Sequence, residues 1–266
     1  MSLGPTGERL PFSPVNEDHA IESVKFSLKA KSALPRRAFF DVDPLRAAFS
    51  DALPAFSEGV AAVDVGGRQL EVPTIEFSFL QPNGSPTWSL NAVGNQIDVL
   101  CNIYTRWDKV WSRADKYLYQ CLDHFAGHSK EGVELVEIEM TVLDRFLSPT
   151  RSSVLDLISG HGSLPERLAS RDYPWHSHTG WFEDAENEAR ILQNLNIDAI
   201  DNPTKGVSVS ITHFQKFVNI SKLNAKFEGN RPFIQSCMNE MHERNKKMLV
   251  DLLHDSVLRS IGLEVV

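Results

Sequence analysis

Two histidines one residue apart, in His176-Ser177-His178, are the sharpest chemical feature of this 266-residue chain. On a strand, residues two apart point to the same side, so both imidazoles could reach one metal ion. Such a site needs three or four ligands, and Glu183, Asp184 or His213 would supply the third. Trp175 and Trp181 flank the pair and would line a surface or cleft around it. The plainer reading of His176 and His178 is an ordinary strand histidine pair. A second pattern is basic: Arg106, Lys109, Arg113 and Lys116 interleave with Trp107 and Trp111. Cations beside aromatic rings suit phosphates and stacked bases, so this stripe is a candidate nucleic-acid or phosphate contact. Its plainer reading, the favoured one, is a solvated helix face above a core-facing aromatic stripe.

Other combinations fall short of a catalytic set. His242-Glu243 opens like a zinc-protease helix, but Lys246 stands where the second histidine is required. Ser159-Gly160-His161-Gly162-Ser163 is glycine-rich yet lacks the Lys-Ser/Thr ending of a phosphate loop. The acidic group Glu183, Asp184, Glu186, Glu188, Asp198 and Asp201 could hold a divalent cation or merely charge a sheet edge. Cys101, Cys121 and Cys237 fall on apolar faces and read as small buried hydrophobes. No cofactor is expected.

The elements that must position these residues are legible in the periodicity. Val24, Phe26 and Leu28 alternate with polar residues, which predicts a strand. A short helix follows Asp43-Pro44. Alternating runs then return at Gly66-Gly67, Asn83-Gly84 and Gly94-Asn95, an antiparallel meander with connections too short for crossovers. From Trp107 to Phe125 the apolar spacing changes to three and four, which predicts an amphipathic helix ended by Gly127. The order then repeats. A strand spans Val136–Val142, a short helix ends at Gly160, and strands run through Trp175–Phe182, Ile191–Ile197 and Val207–Ile211. A last helix is expected from Pro232 to Ile261. The predicted fold is therefore α+β, with two similar halves, each an antiparallel sheet covered by a long helix. Residues 1–18 read as an extended arm, 19–130 as the first half and 131–266 as the second, an internal duplication packed as one unit.

Composition bounds the function. A net charge of −8 argues against a duplex-binding protein with a broad basic face. Three scattered cysteines exclude a disulfide framework, and no apolar run is long enough to span a bilayer. A cytoplasmic protein is expected. Three stretches, Ala20-Ile21-Glu22-Ser23-Val24-Lys25-Phe26-Ser27-Leu28, Val99-Leu100-Cys101-Asn102-Ile103-Tyr104-Thr105-Arg106-Trp107-Asp108 and Met241-His242, carry a resemblance. The chain resembles a sporadically distributed bacterial family of uncharacterised proteins of about this length. That resemblance implies no substrate and no catalytic residues; patchy distribution associates such proteins with defence or mobile elements. The leading expectation is a non-catalytic module that binds a protein partner, with a homodimer through the C-terminal helix as an alternative assembly. An enzyme centred on His176 and His178, or nucleic-acid binding through Arg106–Lys116, are the competing expectations.

Overall fold

A computed structural model describes residues 10–16, 18–150, 152–159, 168, 173–185, 190–202, 206–218, 220 and 231–263. The glycine-rich segment 160–163 and the acidic positions Glu186 and Glu188 lie outside the described residues.

Ten strands form one antiparallel sheet: β1 (Ser13–Pro14), β2 (Ile21–Ala30), β3 (Ala55–Val65), β4 (Arg68–Leu80), β5 (Pro86–Val93), β6 (Gln96–Cys101), β7 (Leu135–Ser148), β8 (Trp175–Asp184), β9 (Arg190–Asn202) and β10 (Gly206–Val218). The α-helices whose bounds fall within the described residues are α1 (Asp43–Phe49), α2 (Trp107–Gly127), α3 (Arg231–Leu252) and α4 (Asp255–Ser260). The lateral order is β3-β4-β5-β6-β2-β7-β10-β9-β8, with β1 beside β7. The expectation of two sheets, each under its own helix, is therefore corrected: among the described residues these strands form one sheet. Its seam is the pairing of β2 with β7, in which Phe26 lies opposite Met140 and Leu28 opposite Ile138. Each of those strands would otherwise present a row of unpaired N–H and C=O groups, and pairing them satisfies both.

Each side of the seam is wired alike. After its first strand the chain goes to an outer edge, meanders inward and ends antiparallel to that first strand: β6 beside β2, and β10 beside β7. A long helix follows each time, α2 after β6 and α3 after β10. The two helices run antiparallel side by side. Arg231 Nη2 donates to Asp115 Oδ2 at 2.5 Å, and Trp107 Nε1 donates to Asn239 Oδ1 at 3.0 Å. Both cover the same face. Val24, Phe26 and Leu28 of β2, Ile138, Met140 and Val142 of β7, and Val110, Trp111, Leu118 and Leu122 of α2 join Met238 and Met241 of α3 in one buried cluster. A second cluster gathers Phe146, Ile197, Val209, Ile211, Leu249, Leu252 and Leu258. The other face carries Lys25, Lys29, Glu137, Glu139 and Lys216, tied by ion pairs such as Lys29–Glu137 at 2.9 Å.

Two further expectations change. The C-terminal helix is not continuous to Ile261. It stops at Leu252, Leu253 bridges Ile158, and the His254 N–H donates to the Leu157 carbonyl at 3.1 Å before α4 begins. Nor is the described part of the N-terminal arm detached. Ser13 pairs with Leu147 and Phe12 is fully buried in the second cluster.

Candidate functional site

The inward register of β7 reads Ile138, Met140, Val142, Asp144, Phe146. A carboxylate thus occupies one of a run of core positions, opposite Ile21 of β2 and Ile211 of β10. Asp144 is 1% exposed, and among the described residues neither carboxylate oxygen has a hydrogen-bond partner. Burial alone pushes its pKa from 3.8 up to about 7. An unpaired buried acid is costly and calls for a reason.

Above it lies a cleft of about 610 Å³. Four parts of the chain build its walls. His19, Ala20 and Ile21 enter β2, held by the Arg145 N–H donating to the Ala20 carbonyl at 2.8 Å. Tyr104 to Lys109 form the junction of β6 with α2. His242, Asn245, Lys246 and Leu249 of α3 recur at three and four, so one helix face looks into the cleft. Ile261 to Leu263 close the side beyond α4. The stretches Ala20–Leu28, Val99–Asp108 and Met241-His242, distant in sequence, each contribute to this cleft.

Four aromatic rings, His19, Tyr104, Trp107 and His242, stand among the lining residues. Trp107 stacks on His242 at 4.1 Å with the planes 1° apart, and its neighbour Trp111 lies 6.1 Å away at 10°. His19 meets Tyr104 edge-on at 5.3 Å. Burial pushes the Tyr104 hydroxyl well above its ordinary pKa, and the Asp144 charge adds to the effect. Desolvation pushes His242 down to about 4, so it is neutral at physiological pH. At the mouth, Arg106 and Lys109 are exposed cations at the start of α2, where no side chain caps the helix. Lys246 is bound to Glu243 at 3.0 Å, and Asp18 and Asp108 add negative charge to the same mouth.

Behind the cleft is a buried polar seam. His213 Nδ1 lies 2.9 Å from Asn245 Oδ1, and Nε2 lies 2.8 Å from Gln193 Oε1. Burial drives His213 down to about 4. His213 also faces a second cavity of about 400 Å³, together with Trp181, Glu183 and Arg244. Glu183 there accepts from Trp181 Nε1 at 2.8 Å and from Arg244. Asn245 thus touches the first cavity and hydrogen-bonds a residue of the second.

His176 and His178 lie elsewhere. They sit exposed on the edge strand β8, opposite Asp198 and Asn196, on the face away from the helices. Glu183 and His213 belong to the inward register, so the sheet itself separates them from the pair. Among the described residues no group of three His, Cys, Asp or Glu is placed to hold a metal. The basic stripe divides. Arg106 and Lys109 reach the cleft, while Lys116 points to solvent. Arg113 lies over the Trp88 ring at 4.8 Å, donates from Nε to the Tyr117 hydroxyl at 2.6 Å and from Nη2 to the Ala52 carbonyl at 3.3 Å. Asp144 escaped the sequence reading because the predicted strand ended at Val142. Carrying the alternation on to Phe146 would have placed it in the core register. No helix of the described residues is long and apolar enough to cross a membrane. The chain matches no protein-family model, no curated protein and no solved structure.

Proposed function

We propose that this protein binds a small polar ligand in the cleft over Asp144, and that the cleft, rather than the histidine pair or a continuous basic stripe, is its functional site. One observation carries the reading: a carboxylate that is buried and unpartnered among the described residues lies at the floor of a cleft of about 610 Å³ that four aromatic rings help to line. Such sites are concave, largely apolar and hold a few convergent polar groups. Both Asp144 oxygens are covered, so a ligand that donates hydrogen bonds to them, once the side chains over the carboxylate move aside, would relieve the cost of leaving that group bare. A second reading, acid–base catalysis in the same cleft, is favoured by an acid poised at about 7 in a cavity that Tyr104 and His19 also line.

The test is thermal unfolding of the protein and of Asp144→Asn against a panel of amines, sugars, nucleosides, nucleotides and carboxylic acids. At least one class should raise the melting temperature of the parent by several degrees and that of Asp144→Asn by much less. Binders that stabilise both proteins equally would overturn the assignment of the cleft. Conversion of the bound compound, lost in Asp144→Asn, would promote the catalytic reading.

A further inference from the structure

We propose that β3, one free edge of the sheet, pairs antiparallel with β3 of a second copy of this chain, about a two-fold axis at Val60. β3 ends the lateral order, and among the described residues β4 is its only strand neighbour. It is 11 residues long, and its register with β4 runs unbroken from Ala55 to Val65. A long regular edge is a template for another strand unless proline, lysine or a bulge blunts it. β3 contains no proline, no lysine and no break in register. Its outer half is also unsupported. β5 reaches only to Val93, opposite Thr74, so residues 60–65 and 68–73 continue past it as a two-stranded ribbon. Such a ribbon is marginal in water by itself. It leaves Val60 65% exposed and Leu70 48%.

Self-pairing answers both needs, and the charges choose its register. Residues directly opposite one another in an antiparallel pair share a face, so the two-fold axis must fall at a residue. Centred on Val60, the axis pairs all 11 residues, with Ala55 opposite Val65 at the ends. The overhanging half of each β3 then lies against the sheet-backed half of its partner. Centred on Ala61, the axis would set Glu58 opposite Asp64 twice, a destabilising like-charge pair. The Val60 register instead sets Asp64 opposite Phe56, on the same face. Arg46 already lies over the Phe56 ring, 5.0 Å from its centre, and its own ion pair with Asp43 is loose at 3.9 Å. Each copy therefore presents an exposed arginine where the Asp64 carboxylate of the other arrives, and symmetry makes the match twice. A strand from an unrelated protein would fill the edge without that reciprocal match.

Sedimentation velocity of the full chain at rising concentration tests this. The parent should pass from the mass of one chain to that of two and stop there. Val60→Lys and Val60→Glu each bring like charges together on the axis, and each should weaken dimerisation at least about tenfold. An equal mixture of the two variants should dimerise again. Arg46→Glu should also weaken the dimer, and Asp64→Lys added in the same chain should restore it. All three positions are exposed, and thermal melts matching the parent show that each variant keeps the fold. The Arg46 and Asp64 pair reads the same contact away from the axis, so the test does not hang on one variant. A parent that is monomeric at every concentration, a dimer indifferent to Val60→Lys, or a mixture that stays monomeric would overturn the proposal. Growth beyond two chains would mean that β3 seeks β8 of the next copy, and would overturn it as well.

Discussion

Burial disfavours the charged forms of Asp144, His213 and His242, raising the first to about 7 and lowering the two histidines to about 4, and the three groups oppose one another in the pH dependence of stability. Asp144 is raised above its ordinary 3.8, so the folded state binds its proton more tightly than the unfolded chain does. Its contribution is greatest at low pH and is lost as pH rises through about 7. The histidines are depressed from 6.5 to about 4, so their contribution holds above 6.5 and is lost as pH falls towards 4. Asp144→Asn removes only the first effect. The variant should gain on the parent by about 2–3 kcal/mol between pH 5 and pH 8, at roughly 1.4 kcal/mol per pKa unit. Denaturant melts of both proteins at the two pH values measure it. A constant difference would mean that Asp144 is already ionised or paired in the fold.

At the scale of the element, α2 shows how one helix divides the work of a single stripe. Trp111 is buried, 5.3 Å from Phe26 of the central strand, and Arg113 turns inward over Trp88. Arg106 and Lys109, at the open end, meet the cleft. Truncating a large core aromatic typically costs about 3–5 kcal/mol, so Trp111→Ala should lower the melting temperature sharply. Lys116→Ala, on the solvent side, should stay within about 0.5 kcal/mol of the parent. Equal effects from the two substitutions would contradict the orientation of the helix. The break at Leu253–His254 has a comparable logic. There the chain leaves the helix to pair with Ile158 and Leu157, which anchors α4 beside the cleft and carries Ile261 and Gly262 to its wall.

For the whole molecule, the decisive feature is the β2–β7 seam. It joins residues 19–130 to residues 131–266 by a full strand pairing, and α2 against α3 repeats the union above the sheet. Neither half should therefore fold alone. Expressed separately, each would expose an unpaired central strand and the flank of a long helix. Fragments 1–130 and 131–266 should be insoluble singly and recover a cooperative melt when produced together. A soluble 1–130 fragment with its own sharp transition would show that the halves are independent units. The cleft itself spans the seam, since Ile21 comes from one side and Asp144 and His242 from the other.

What the sequence determined by itself was the local period. Alternation at Val24, Phe26 and Leu28 and at Val207, Val209 and Ile211 placed strands and their inward faces. The spacing from Trp107 to Phe125 placed the helix that covers them, because each pattern follows from the geometry of a single element. The tertiary structure decided which strand lies beside which. Backbone hydrogen bonding between strands is blind to side-chain type, so nothing in β2 or β7 announced that they would pair with each other and fuse two expected sheets into one. The site was decided in the same way. Ala20, Tyr104, Asp144 and His242 share no motif or spacing, and only the seam and the two antiparallel helices bring them around one cavity. His176 and His178 had the right spacing for one face, but the pleat turned that face away from Glu183 and His213.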